Sequence, residues 1–423
     1  MSAAKNTGPK SSSAVGREGG GLSGWFRKRF PWDQLMEDHV TGYYAPKNFN
    51  WFYVFGSLAL LSLIIQIVSG IFLTMNYKPS AAEAFSSVEY IMRDVEWGWL
   101  IRYMHSTGAS LFFLVVYIHM FRALLYGSYQ KPRELIWIFG MLIYLAMSAE
   151  AFFGYLLPWG QMSYWGAQVI VSLFGALPVI GEPLVEFIRG DYYISDVTLN
   201  RFFALHVIAL PLVLLGLVVA HILALHEVGS NNPDGVEIKN HKGPDGRPLD
   251  GIPFHPYHTV KDLPAWVVFS MVFALIVFFA PEMGGYFLEH ANFEPANRLK
   301  TPEHIAPVWY FTPFYAILRA IPDKLGGVLM MGAAMFMLFL LPWLDRSPVR
   351  SIRYKGPLFK IALTTFVVSF VMLGWLGLQP ATGLYTILAR IFTVLYFAFF
   401  LLMPIYSKID KVKTPPARVT YHD

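Results

Sequence analysis

Residues 102–122 read RYMHSTGASLFFLVVYIHMFR, and residues 201–221 read RFFALHVIALPLVLLGLVVAH. Both stretches are long and apolar enough to cross a membrane as helices, since about 20 apolar residues span the hydrocarbon core. Each stretch nevertheless contains two histidines: His105 and His119 in the first, His206 and His221 in the second. A histidine is costly to place inside a membrane helix, so these four indicate a functional role.

The spacing of the histidines places both rings of each stretch on one side of its helix. His105 and His119 are fourteen residues apart, just under four helical turns, and His206 and His221 are fifteen apart, just over four. Pro211 lies within the second interval and predicts a local change of winding. One apolar run lies between the two stretches, so they cross in the same direction and offer two facing pairs of imidazoles, about 21–22 Å apart along the axis.

Glycines repeat the same interval in two further apolar runs. Gly56 and Gly70 are fourteen residues apart, as are Gly140 and Gly154. Glycine lets a bulky partner approach a helix backbone closely. Helix packing explains any one of these glycines equally well. Together with the histidines they predict a four-helix bundle that holds two stacked metal–porphyrin groups, each between two imidazoles.

Arg102 and Arg122 lie about one turn outside the histidines of their stretch. There they can meet the negatively charged propionates of a haem. A single membrane histidine could instead serve a hydrogen bond between helices. Two matched pairs with matching glycines are not explained that way.

The composition is that of a membrane protein throughout. Of 423 residues, 55% are hydrophobic and 14% are charged, whereas soluble domains carry about a quarter charged residues. The absence of cysteine excludes disulfides, thiolate metal sites, iron–sulfur ligation and covalently attached haem in this chain. The net charge of +5 is spread over loops and tails, so it does not indicate nucleic-acid binding.

Eight apolar runs have about the length needed to cross a membrane. They lie near residues 51–76, 100–125, 135–156, 203–225, 264–281, 326–344, 358–378 and 385–406. The fifth is the shortest. Basic residues concentrate in both tails and in the loops after the second, fourth and sixth runs, which places both termini on the cytoplasmic side by the positive-inside rule.

We therefore predict an all-α polytopic membrane protein with eight transmembrane helices, the first four forming a dihaem bundle. Its organisation would be a disordered tail over residues 1–30, the dihaem bundle over 31–230, a cytoplasmic connecting loop over 231–262 and a four-helix membrane domain over 263–423. Two long outer loops, one of them in the last domain, are partly apolar and predict short helices on the membrane surface.

Four segments carry a resemblance to a known family. They read RYMH at 102–105, GYLLPWGQMS at 154–163, GSNNP at 229–233 and HPYHTVKD at 255–262. From about Trp32 to its C-terminus the chain resembles cytochrome b of the ubiquinol–cytochrome c oxidoreductases, the bc complexes. The resemblance implies two non-covalent b haems, with His105 and His206 holding the low-potential haem near the outer face and His119 and His221 the high-potential haem near the inner face.

The resemblance also implies an inner pocket where quinone is reduced, formed by His226, Ser230, Asn231, Lys261 and Asp262. His226 lies just beyond the second histidine stretch, and the last two precede the fifth apolar run on the same side. Quinone reduction needs hydrogen-bond donors and a source of protons, which these residue types supply. Lys261 alone could also be an interfacial anchor.

An outer pocket, where quinol is oxidised, is implied as well. It maps to Tyr155, Gly166, Pro307, Trp309, Tyr310 and Tyr315. The family commonly has Pro-Glu-Trp-Tyr here, with the glutamate accepting a quinol proton, whereas this chain has Val308 in that place. Glu303, five residues upstream, is therefore expected to be the substitute acceptor; as an alternative it is simply an acidic residue of an outer loop.

The implied function is transmembrane electron transfer in a quinol:cytochrome c oxidoreductase, with ubiquinol and ubiquinone as substrates and a contribution to proton translocation. A Rieske iron–sulfur protein, a cytochrome c1-type subunit, a homodimeric complex and membrane lipid are implied as partners. Val308 and the fifteen-residue histidine interval, longer than in mitochondrial members, suit a member from a bacterial inner membrane. Two alternatives stay open: a dihaem cytochrome b subunit of another membrane dehydrogenase, and a proton-coupled transporter with a histidine relay, which would show no haem absorbance.

Overall fold

The computed structural model describes residues 21–37 and 42–420. Residues 1–20 of the predicted disordered tail lie outside the described residues. From residue 21 onward the tail contains the short helices Leu22–Arg27 and Trp32–Met36. The described part is mainly helical, with one two-stranded sheet between Tyr44–Pro46 and Gly251–Pro253.

Seven helices in the described part are long and apolar enough to cross a membrane. They are Trp51–Thr74, Gly98–Tyr126, Glu134–Leu156, Asp196–Val228, Phe254–Phe279, Pro357–Gly377 and Gly383–Leu401, here called spans one to five, seven and eight. The fifth span was expected to be the shortest and is not. It has 26 residues, because its helix begins well before the apolar run and includes Lys261 and Asp262.

The predicted sixth crossing, residues 326–344, is divided in two. Lys324–Phe339 forms a helix of 16 residues, here called span six, and Leu341–Leu344 forms a short second helix. Pro342 lacks a backbone donor, which accounts for the break. At 1.5 Å per residue, span six rises about 24 Å, so it is shorter than the other seven.

Both ends of the described chain meet on one face of the molecule. Tyr44–Pro46 pairs with Gly251–Pro253 in an antiparallel ladder. The carboxylate of Asp250 forms salt bridges with Lys47 and with Arg418, each at 2.8 Å. Between these residues the chain must therefore cross the membrane an even number of times. Span six, although short, has to be counted as a crossing, which brings the total to eight. We call this the inner face.

Spans one to four pack mainly as two pairs. Span one lies along span two, and span four lies along span three. The paired arrangement leaves room between spans two and four, where the four histidines lie. Spans seven and eight pack on the outer-loop helix Thr312–Ala320. A continuous apolar core joins them to spans two and three through Phe113, Tyr144, Phe314 and Phe366.

Span four changes its winding at the first of its two histidines. Leu205–Ala209 form a π-helical turn that ends two residues before Pro211. A π turn takes up one residue more than an α turn. The fifteen-residue interval therefore brings His221 back to the side of the helix that carries His206. The change of winding predicted from Pro211 is confirmed.

Short helices occupy the two long outer loops, as the sequence predicts. Those between spans three and four are Gln161–Phe174 and Gly181–Arg189; those between spans five and six are Met283–Gly285, His290–Phe293, Trp309–Phe311 and Thr312–Ala320. Ala84–Arg93 follows span one, Ile238–Asn240 lies in the connecting loop and Met403–Ile409 follows span eight. The outward faces of the spans expose large apolar side chains, such as Leu212 and Met271, for contact with lipid.

Candidate functional site

The structure brings the four histidines together in the two pairs that the spacing predicts. The ring centres of His105 and His206 lie 6.2 Å apart, with the ring planes at 86°. The ring centres of His119 and His221 lie 6.5 Å apart, with the planes at 60°. We call these the outer pair and the inner pair.

The ring separations fit a single metal between the members of each pair. With metal–nitrogen bonds of about 2 Å and about 1.2 Å from a ring nitrogen to the ring centre, two opposed imidazoles have centres about 6.4 Å apart. In the described part of the chain, His, Asp and Glu side chains do not gather in groups of three or more that could hold a bare metal ion. Two imidazole nitrogens per site would suit a haem, which brings four porphyrin nitrogens of its own.

The four glycines face the histidine rings themselves. A Cβ atom placed on the glycine would lie 3.3 Å from the ring Cε1 in three cases: Gly56 with His119, Gly70 with His105 and Gly140 with His221. In the fourth case, Gly154 with His206, the distance would be 2.4 Å. Glycine is therefore required at these four positions, because the histidine ring of the neighbouring helix lies close against the backbone there.

Hydrogen bonds fix the tautomer of the outer pair. The hydroxyl of Ser69 donates to the Ile65 carbonyl at 2.6 Å, so its oxygen can accept from His105 Nδ1, 2.9 Å away. His206 Nδ1 lies 2.9 Å from the backbone oxygen of Glu150 and 3.0 Å from its carboxylate Oε1. Both Nδ1 atoms are thus engaged, which leaves Nε2 of each ring for a metal.

The inner pair has different surroundings. His119 Nδ1 lies 3.3 Å from Nη2 of Arg122, whose guanidinium covers the ring of Tyr53. The His221 ring interacts with the backbone of Ile136, without a well-formed hydrogen bond to Nδ1 among the described residues. At their outward nitrogens the inner pair therefore faces a cation and a backbone carbonyl, where the outer pair faces a hydroxyl, a backbone carbonyl and a carboxylate.

A cavity of about 350 Å³ surrounds the outer pair. Arg102 lines it, as expected for a residue that meets a haem propionate. The cavity continues to Tyr155, Val308 and Tyr310, residues of the predicted outer quinol pocket. The outer pair and this pocket are therefore neighbouring parts of one space.

The outer pocket contains a carboxylate that sequence reasoning missed. The Tyr155 hydroxyl donates a hydrogen bond to Glu289, in the loop between spans five and six. Burial raises the pKa of Glu289 to about 7, although the Tyr155 hydrogen bond opposes the shift. Gly166 borders the same tyrosine, since a Cβ there would lie 3.8 Å from its ring. Sequence position alone does not distinguish Glu289 from its acidic neighbours Glu282 and Glu294.

Glu303, the expected substitute, is exposed on the outer loop. This placement argues against the prediction that Glu303 replaces the motif glutamate. The chain between Glu303 and Val308 leads from the surface into the core, since Val308 itself is buried. Closeness in sequence therefore does not bring the Glu303 carboxylate into the pocket.

The aromatic residues around Val308 are firmly packed. Tyr310 stacks on Phe113 of span two, with ring centres 3.8 Å apart and nearly parallel planes. The indole of Trp309 donates to Ser110 at 3.3 Å, and the Tyr315 hydroxyl donates to a loop carbonyl at 3.0 Å. Pro307 is half-buried at the entry to this segment. These contacts fix the wall of the pocket against span two.

At the inner face, the structure adds Tyr43 to the predicted quinone pocket. Its ring stacks on His226 with centres 4.4 Å apart. Its hydroxyl lies 2.7 Å from Ser230 Oγ and accepts from the Ser230 backbone N–H at 3.1 Å. Burial raises the pKa of the Tyr43 hydroxyl, against the lowering effect of Ser230. The strand Tyr44–Pro46 carries Tyr43 there, a placement that depends on a partner strand two hundred residues away.

The other inner-pocket residues take different positions. Asn231 is buried and donates to the Tyr126 carbonyl at 2.6 Å, so its amide holds the end of span two. Lys261 is exposed at the start of span five and donates to the Phe49 carbonyl at 3.2 Å. Asp262 is half-buried and faces Ser57 of span one.

The fold and the sites define a class: a multi-pass helical membrane protein whose first four crossings hold two stacked histidine pairs suited to haem. The family model for Cytochrome b/b6/petB matches residues 40–229. That for Cytochrome b(C-terminal)/b6/petD matches residues 295–397. The chain belongs to the cytochrome b family, in the form found in bc1-type complex III.

Individual relatives agree with this assignment. The chain is 65% identical over 406 residues to cytochrome b of Allochromatium vinosum, covering 94% of this chain and 97% of that protein. It is 49% identical to cytochrome b of Rhodospirillum rubrum over 397 residues, covering 94% and 95%. A solved chain of a hyperthermophilic respiratory complex III superposes with a TM-score of 0.85 at 41% identity, covering 92% of this chain and 99% of that one. Membership implies haem b binding, quinol oxidation and electron transport in a multi-subunit complex.

Proposed function

We propose that this chain is the catalytic subunit of a quinol–cytochrome c reductase that binds two non-covalent b haems, one on each histidine pair. The main support for this proposal is the two stacked histidine pairs, whose ring centres lie 6.2 and 6.5 Å apart. Nε2 of His105 and His206 would hold the outer iron, and Nε2 of His119 and His221 the inner iron. When bound, the haems supply one-electron carriers that connect the two sides of the membrane.

The quinone pockets lie at the two ends of this arrangement. Quinol is oxidised at the outer pocket beside Tyr155 and Tyr310, and releases two protons and two electrons there. Quinone is reduced at the inner pocket beside Tyr43, His226 and Asp262, where protons are taken up. Release on one face and uptake on the other contribute to proton translocation.

Glu289 is the proton acceptor that the structure favours in the outer pocket. Its carboxylate accepts from Tyr155, and its pKa of about 7 suits a group that takes up a proton at neutral pH. Tyr310 is close enough for Glu289 to influence its ionisation. Val308 cannot accept a proton, and Glu303 is exposed at the surface. Glu289 therefore takes the role that Pro-Glu-Trp-Tyr assigns to its glutamate.

Partners and location follow from the same proposal. The chain has no cysteine to hold an iron–sulfur cluster, and the resemblance to bc complexes implies that the first electron from quinol leaves through another subunit. A Rieske protein and a cytochrome c1-type subunit suit that need, in a homodimeric complex. Ubiquinol is the proposed quinol. The inner face carries Lys47, Arg133, Arg350 and Arg418, which supports a cytoplasmic location for both termini in a bacterial inner membrane.

The test of the overall function is spectroscopic. The purified complex should contain two b haems per chain, all extractable by acid acetone because no cysteine holds them, and ubiquinol should reduce them. A preparation that folds without haem absorbance would support the transporter alternative. Haem reduced by another electron donor but never by quinol would support the dehydrogenase alternative.

The test of Glu289 uses a matched pair of variants. Glu289→Gln should slow quinol oxidation by about 100-fold, within the usual range for a general base, while both haem spectra stay intact. Glu303→Gln makes the same chemical change on the exposed part of the same loop and should leave the rate unchanged. If only Glu303→Gln slows the reaction, the original assignment to Glu303 is restored.

A further inference from the structure

We propose that Glu150 is a positioning residue for the outer haem: its carboxylate binds Nδ1 of the ligand His206 and makes the outer haem harder to reduce. The inference rests on the proposed function, because it concerns a haem held by His206. It assigns to one side chain part of the difference in redox potential between the two sites.

The position of Glu150 is unusual for a carboxylate. It lies within apolar span three, four residues before Gly154, the glycine that faces the His206 ring. Carboxylates inside membrane helices are rare and mark functional positions. Oε1 lies 3.0 Å from His206 Nδ1, and Oε2 is buried without a hydrogen-bond partner among the described residues. The histidine ring is thus the contact that accounts for the carboxylate being there.

The His206 Nδ1–H donates to the backbone of Glu150, and the carboxylate lies beside the same nitrogen as a charge contact. The backbone oxygen of Glu150 lies 2.9 Å from the same nitrogen. The backbone contact alone would orient the ring, as it does in many haem and zinc proteins. When ionised, the carboxylate adds negative charge beside the ligand, which makes the imidazole a more basic ligand. A more basic ligand and a nearby negative charge both stabilise oxidised over reduced iron, which lowers the reduction potential.

The inner site supplies an internal comparison on the same helix. Gly140 faces His221 as Gly154 faces His206. Four residues before Gly140 stands Ile136, and its backbone is the group that interacts with the His221 ring. The two sites repeat the same arrangement of glycine, ring and backbone carbonyl, but only the outer one has a carboxylate.

The experiment is an anaerobic redox titration of both b haems in the whole complex at alkaline pH, where the Glu150 carboxylate is ionised. Glu150→Gln keeps the size and a hydrogen-bond acceptor at Oε1 but removes the charge. It should shift the equilibrium constant for reduction of the outer haem at least tenfold in favour of the reduced form, which is 59 mV for a one-electron couple. The inner haem should not move. Glu182→Gln, the same change at an exposed outer carboxylate, is the control.

The results separate this inference from the proposed function. If the wild-type complex lacks two b haems, the proposed function fails. If both haems are present in Glu150→Gln and the outer potential is unchanged, Glu150 only orients the ring and the inference is overturned. If Glu150→Gln loses its outer haem, its outer potential cannot be measured, and the reverse change at the inner site becomes the test. Ile136→Glu should lower the potential of the inner haem, and an unchanged inner potential there would also overturn the inference.

Discussion

The outer and inner histidine pairs share one design and differ in the contacts of their outward ring nitrogens. In both, a glycine of a neighbouring helix touches the ring of each histidine, and the ring centres are separated by almost the same distance. The contacts of the outward-facing Nδ1 atoms differ between the two pairs. At the outer pair they meet Ser69 and Glu150, whereas at the inner pair His119 faces the cationic Arg122.

This difference would let one bundle hold the two proposed haems at different potentials. The shared parts, glycine and ring, set the geometry of binding. At the outward nitrogens the outer pair contacts a carboxylate and the inner pair a guanidinium, while Arg102 also lines the outer cavity. Since negative charge favours oxidised iron and positive charge favours reduced iron, an ionised Glu150 beside His206 and Arg122 beside His119 would together give the outer site the lower potential. This order matches the one that the family resemblance implies.

The largest effect is expected from removing one ligand of each pair in turn. His206→Ala should leave the purified complex with one haem per chain and only the high-potential absorbance band. His221→Ala should leave one haem and only the low-potential band. Haem content by pyridine haemochrome and difference spectra measure both. Loss of the opposite band in either variant would reverse the assignment of pairs to potentials.

A smaller effect is expected from a methyl group on the glycines. In Gly154→Ala the new Cβ would lie 2.4 Å from the His206 ring, so the ring or the helix must move. In Gly140→Ala the distance to His221 would be 3.3 Å, which a slight shift relieves. Overpacking of this kind costs about 1–3 kcal/mol. On heating, loss of the outer haem should therefore begin at a lower temperature in Gly154→Ala than in Gly140→Ala. Loss at the same temperature in both variants would contradict the tighter outer fit.

Quinol oxidation at the outer pocket should depend on pH. Because the pKa of Glu289 is about 7, its proton-accepting form becomes dominant as the pH rises through that value. Quinol oxidation at the outer pocket should therefore accelerate about tenfold per pH unit below pH 7 and level off above it, as expected for a single base. Pre-steady-state reduction of the haems by quinol measures this rate. Glu289→Gln should remove the step near pH 7, and a step that persists in the variant would belong to another group.

The smallest effect is expected at Tyr43. Tyr43→Phe keeps the ring that stacks on His226 but removes the hydroxyl that contacts Ser230. A single hydrogen bond contributes about 0.5–1.5 kcal/mol, so reoxidation of the inner haem by quinone should slow by about 2- to 10-fold. Stopped-flow absorbance of the inner band follows this step, and quinol oxidation at the outer pocket is the internal control. An effect on the outer step alone would remove Tyr43 from the inner pocket.

Features that repeat along a helix were predictable from the sequence. The fourteen-residue intervals of histidine and glycine define the pairs because the α-helix has a fixed period. Polar residues within apolar runs stand out because burying them is costly. These two facts were sufficient to predict the bundle and the level of each histidine.

Features that depend on the meeting of distant segments were not predictable. Tyr43 reaches the inner pocket through a strand whose partner is Gly251–Pro253. Glu289 reaches Tyr155 through an outer loop with several other carboxylates. Glu303 was chosen for its closeness to Val308 in the sequence, but the loop places it at the surface. Glu150, by contrast, could have been found, since it is a carboxylate four residues before a glycine already singled out.

The π turn at Leu205–Ala209 has a consequence for the length of span four. In span two, regular α-helix aligns two histidines fourteen residues apart, whereas span four uses fifteen and takes up the extra residue in the π turn. Removing one residue from this turn would restore α-helical winding and keep both rings on the same side. Span four can therefore lose this one residue without misaligning its two histidines, so the length of this helix and the register of its histidines are not strictly tied to each other.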